Sequence, residues 1–107
     1  MTTFDERDKG FENKFAHDEE MAFKVHARMK KLVALWAAAQ MGKNSPEAEQ
    51  YASELVQAEL STNADSLIKR LQADFGAARL DVPPEIIADE IRRQTGVARE
   101  QVLGRKS

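Results

Sequence analysis

At 107 residues the chain has the length of one domain with a modest core. Its 42% hydrophobic and 32% charged residues exclude full disorder, and a net charge of −2 excludes a general attraction to nucleic acid or anionic membrane. The absence of cysteine removes disulfides, thiolate nucleophiles and cysteine metal sites.

The first twenty residues carry seven acids against three bases, with Phe4, Phe11 and Phe15 spaced seven and then four apart. Asp5, Glu6 and Asp8 stand where a signal peptide would carry lysines and an apolar core. The longest apolar run, residues 32–39, is far short of the roughly 20 residues that span a bilayer. A cytoplasmic protein is expected.

At about 100° per residue the three phenylalanines lie within about 40° of one another. The line continues through Ala22, Val33 and Trp36, so the front could form one continuous helix with the first bundle helix. This spacing fits either of two roles. The stripe either packs on the protein's own core or binds a partner. Three apolar anchors bury too little to offset the ordering entropy of the segment, so residues 1–17 are expected to be mobile and to fold on binding. His17 and Asp18 mark the expected handover, with Asp18 as the cap of the first bundle helix.

Residues 21–46 reverse the charge, with Lys24, Arg28, Lys30, Lys31 and Lys43 and no acid. Apolar residues then recur at three- and four-residue steps in four stretches. The expected helices are residues 18–41, 46–60, 64–79 and 84–103. Gly42 suits a helix C-cap, Ser45-Pro46-Glu47 a helix start with Ser45 as N-cap, and Asn63 the next cap. Pro83-Pro84-Glu85 opens the last helix, and Gly96 weakens it by about 1 kcal/mol relative to Ala. Period-two alternation is absent, so strands are not expected. The fold class is all-α: a small four-helix bundle over residues 18–103 with sequential helices antiparallel, a mobile N-terminal segment (1–17), and a frayed tail (104–107).

Lys24, Arg28 and Lys31 share one helix face and form a candidate contact for a nucleotide or another anionic partner surface; a solvated face is the plain alternative. His17 and Glu20 make half a metal site that nothing completes, so no metal is expected. His17 and His26 are candidates for a pH switch, the role for which imidazole is the usual side chain. There is no Gly-rich phosphate loop, no Ser-His-Asp order and no isolated pair of buried acids. Neither catalysis nor a cofactor is expected.

The stretch FDERDKGFENKFAHDEE, then Phe23-Lys24, Ala27-Arg28 and KLVALWAA at residues 31–38, resembles the zeta, or ATPase inhibitor, subunit of the alphaproteobacterial F-type ATP synthase. The likeness is strong over residues 4–42 and collinear afterwards. It implies a four-helix bundle, monomeric when free, whose N-terminus becomes helical inside a catalytic interface of the ATPase head. Wedged between a catalytic and a neighbouring subunit and against the central shaft, that helix would block ATP hydrolysis and impede synthesis less. Such a protein touches the membrane only through the synthase and binds no nucleic acid. By the resemblance, residues 3–19 are the inhibitory part, with Phe4, Phe11 and Phe15 as apolar anchors and Arg7, Lys9, Glu12 and Lys14 as polar contacts. Two departures stand out. Met29-Lys30 replaces an expected Arg-Asn pair, and Gly10 replaces an expected Ala. That glycine costs about 1 kcal/mol of helix, roughly fivefold in affinity. The alternative function is a helical adaptor that uses its bundle surface and has weak or no inhibitory activity.

Overall fold

The computed structural model describes the backbone of residues 3–104 and the side chains of residues 18–104. Four helices form it: α1 (Thr3–Gln40), α2 (Ser45–Glu59), α3 (Ala64–Ala77) and α4 (Pro84–Leu103). No strand occurs among the described residues.

The helix ends follow from side chains and from residues that accept positive φ. Gly42 takes φ 78°, and the N–H groups of Gly42 and Lys43 return to the carbonyls of Ala39 and Ala38 at 3.1 and 3.0 Å, closing α1. At the start of α2 the cap is Asn44, one residue before the expected Ser45. Its Oδ1 accepts from the Glu47 N–H at 3.1 Å, and the Glu47 carboxylate accepts from the Asn44 N–H at 3.3 Å. An amide at Asn44 and a carboxylate three residues on complete this reciprocal pair, which Ser45 cannot do with Ala48. Asn63 caps α3 as its position predicts, accepting from Ser66 N–H at 2.9 Å. α3 ends two residues before the expected residue 79, because Arg79 adopts φ 64°. The Leu80 N–H then reaches the Phe75 carbonyl at 2.8 Å.

α1 is the spine. Val25, Met29, Val33, Ala34 and Ala37 enter the common core with Ala52 and Leu55 of α2, Leu67, Leu71 and Phe75 of α3, and Ile87, Ile91 and Ala98 of α4. Ala34, Ala37 and Ala38 are fully buried, and their small size lets neighbouring helices approach α1 closely. Trp36 is half-buried and meets Phe75 edge-on, with ring centroids 5.7 Å apart. Sequential helices are antiparallel. At one end of the α2–α3 pair Ser66 Oγ donates to Glu59 Oε1 at 3.0 Å, and at the other Tyr51 OH donates to Asp74 Oδ2 at 2.5 Å.

α1 does not begin at Asp18. It runs unbroken through His17-Asp18 to Thr3, so Asp18 is an exposed helix-interior residue rather than a cap. Its 38 residues span about 57 Å at 1.5 Å each, against about 22 Å for the 15 residues of α2. A helix of this length accounts for most of the molecule's longest dimension, 65 Å beside 28 and 22 Å. Of the tail expected to fray at residues 104–107, Gly104 instead closes α4, its N–H donating to the Glu100 carbonyl; residues 105–107 lie outside the described residues.

Candidate functional site

Two regions received functional residues from the sequence. The first is the front of α1. Residues 3–17 are helical there and continue the axis of residues 18–40 without a break. The side chains of Phe4, Arg7, Lys9, Phe11, Glu12, Lys14, Phe15 and His17 lie outside the described residues. On the wheel of a straight helix the positions of Phe4, Phe11 and Phe15 are in phase with Met29 and Val33. Both of these are buried by the bundle, whereas Ala22, on the same line, is exposed.

The second region is the basic face. Lys24, Arg28 and Lys31 come together on one rim of an open groove of about 510 Å³ between α1 and α2. Ala52 and Val56 of α2, Val102 of α4 and the half-exposed ring of Phe23 supply its apolar walls. Glu49, Ser53 and Gln57 form the opposite rim. Arg28 Nε donates to Gln101 Oε1 at 2.6 Å, which ties the rim to α4. Lys24 Nζ lies 3.5 Å from Glu20, an exposed i,i+4 pair that contributes little. His26 is exposed and belongs to a different concavity, of about 350 Å³, with Asp18, Met21, Arg99 and Leu103 where α1 leaves the bundle. No group of three His, Asp or Glu suited to a metal ion occurs among the described residues. No described helix is long and apolar enough to cross a membrane.

Lys30 is a residue that sequence reasoning misplaced. Grouped by charge with the basic cluster, it is instead buried, at 3% exposure. Its Nζ donates to the carbonyls of Glu59 (2.5 Å), Leu60 (3.3 Å) and Thr62 (2.9 Å), capping the C-terminal end of α2. Burial holds its amine below the usual lysine range, with nearby Glu59 opposing the shift. Glu59, also buried, accepts from the Thr62 and Ser66 hydroxyls. The sequence signal was spacing: Lys30 precedes the buried Ala34 and Ala37 by four and seven residues, on a face where alanines leave room. The Met29-Lys30 pair is thus built into the bundle, with Met29 6% exposed in the core.

A second polar knot fastens α2 to α3. Asp74 accepts from Tyr51 OH and, at 2.9 Å, from Arg70 Nε. Burial, then the Asp74 hydrogen bond, push the Tyr51 hydroxyl well above its ordinary range.

Against known proteins, the chain matches the family model described as ATPase inhibitor subunit zeta over residues 1–101. It belongs to that family. No curated protein and no solved structure matches it. The match covers the acidic front and the clamped back of α1 together. It makes the chain one of a group of regulatory, ATPase-inhibiting subunits.

Proposed function

We propose that the chain inhibits ATP hydrolysis by an F-type ATP synthase. Residues 3–19 enter a catalytic interface of the ATPase head as a helix, between a catalytic and a neighbouring subunit and against the central shaft. The free protein is a cytoplasmic monomer and reaches the membrane only through the synthase.

The observation that carries this reading is the uninterrupted helix α1, together with the family match. The bundle grips residues 25–38 through core contacts, while residues 3–17 add about 22 Å of helix in line with that grip. Once folded on its partner, the front gives a wedge the stiff connection it needs. A front joined by a loose hinge would leave the bundle no mechanical hold on the inserted part. Large aromatic anchors dominate interface energies, so Phe4, Phe11 and Phe15 carry most of the affinity. Arg7, Lys9, Glu12 and Lys14 fix register through charged contacts.

The test is ATP hydrolysis by the purified ATPase head, titrated with full-length protein and with the triple variant Phe4→Ala, Phe11→Ala, Phe15→Ala. The variant is expected to need at least about a hundredfold more protein for half-inhibition, with its melting temperature unchanged. Equal potency would contradict the assignment of these residues.

A further inference from the structure

We infer that the end of the bundle from which α1 emerges is a second contact surface. It docks on a carboxylate-rich protein surface beside the interface that takes residues 3–19. The inference rests on the proposed reading of residues 3–19 and adds to it a collar of residues that the reading does not use.

Two kinds of side chain meet at this end. Phe23 and Leu103 are both about half exposed, at 52% and 53%. Phe23 stands at the groove lined by Val56 and Val102, and Leu103 at the neighbouring concavity beside Met21 and Val25. The two sites flank the seam where Arg28 is tied to Gln101. Around the apolar spots are the cations: Lys24, Arg28 and Lys31 on the groove and Arg99 on the concavity. The acids nearby are Glu49 on the far rim, Asp18 in the concavity, and Glu20, which Lys24 already engages.

Position and charge select the occupant. α1 is continuous, so inserting residues 3–19 brings the collar, which begins within a turn or so of Glu19, against the outer edge of the cleft. The charge reverses at the same place. The acidic front closes with Asp18, Glu19 and Glu20, and the groove face that follows carries Lys24, Arg28 and Lys31 against Glu49 alone. A surface that receives the groove face must therefore be acidic where it meets these three bases. Exposed apolar side chains beside a groove rim with three bases and one acid fit a docking patch with an apolar centre and charged rim. Rim charges of this kind act chiefly on association and specificity.

The experiment compares full-length wild type with full-length Lys24→Gln, Arg28→Gln, Lys31→Gln, and separately with Phe23→Ala, as inhibitors of the purified ATPase head. Each is measured at about 0.05 M and about 0.5 M salt, where the screening length differs severalfold. Removing three rim cations is expected to slow association and raise the half-inhibitory concentration about tenfold at low salt, with the gap closing at high salt. Phe23→Ala is expected to weaken inhibition at both salts, about fivefold or more. Melting curves confirm that each variant folds; if the triple variant does not, Phe23→Ala and Lys24→Gln alone, both at exposed positions, decide. Unchanged potency and association in folded variants would overturn the collar while leaving the inhibitory front intact. If wild type fails to inhibit, the underlying reading fails first, which keeps the two failures distinguishable. Sedimentation showing a dimer that the charge-neutralised variant dissolves would assign the face to a second copy of the chain and overturn the inference.

Discussion

The two halves of α1 share one backbone and follow opposite physical rules. Residues 25–38 bury one face against the other helices, and their sequence shows it. Val25, Met29, Val33, Ala34 and Ala37 are buried, and even Lys30 is bound on three carbonyls. Residues 3–17 run past the bundle with three phenylalanines amid charge. In the first half side chains are chosen to hold the protein together. In the second, on the proposed reading, they are chosen for another surface. Substitutions of buried bundle residues should therefore move stability, and those in the front should move inhibition.

The largest expected effect is in the bundle. Phe75 is fully buried and stacks edge-on against Trp36. Phe75→Ala should cost about 3–5 kcal/mol in urea denaturation, enough to unfold much of the population of a domain this size. A cost under about 1 kcal/mol would mean that α3 is not packed on α1 as described. Lys30→Ala comes next. It strips three carbonyls at the end of α2 of their donor and should cost about 1–3 kcal/mol. An exposed lysine would cost almost nothing, so the same denaturation measurement distinguishes the buried cap from a solvated charge.

Two glycines make the sharpest pair. At Gly96, within α4, an added Cβ meets nothing within 4 Å. Gly96→Ala should stabilise the bundle by about 1 kcal/mol and leave inhibition unchanged. Gly10→Ala, in the front half, should do the reverse: about fivefold tighter inhibition with little change in melting. Any crossover between these readouts would break the division of labour.

The smallest effect is electrostatic. Burial would raise the Glu90 carboxyl, but hydrogen bonds from Arg93 and Gln94 outweigh it and hold the group below its ordinary 4.5. A depressed carboxylate contributes stability that is present above its unfolded value and lost as pH falls below it. Glu90→Gln should therefore flatten the loss of stability below about pH 4.5, by under about 1 kcal/mol because the Arg93 partner is exposed. Melting temperatures across the acid range check it.

Much of the bundle was legible because apolar spacing and end signals agree. Residues 84–103 were expected as a helix and α4 is Pro84–Leu103, since prolines open it and Gly104, at φ 65°, closes it. The cap of α2 was read one residue late, because Ser45 and Asn44 are both good caps and only the reach of Glu47 decides between them. The start of α1 was expected at Asp18 from local capping preference, yet the helix runs through it, as nothing in residues 3–17 breaks the backbone except the tolerated Gly10. Lys30 was misread for a tertiary reason. Its spacing to Ala34 and Ala37 marks the buried face, but its role depends on carbonyls at and beyond the end of α2, 29 to 32 residues away, which no local pattern records. The groove beside Lys24, Arg28 and Lys31 is of the same kind: helical spacing placed the three bases on one face, but its far rim comes from α2.

The division of α1 is tested most directly by one comparison: ATP hydrolysis by the purified ATPase head, titrated with the full chain and with a chain beginning at Asp18, both followed through thermal unfolding. The account predicts that the shortened chain melts at nearly the same temperature as the full chain and does not inhibit, while the full chain does. Equal inhibition by both, or no inhibition by the full chain, would contradict it.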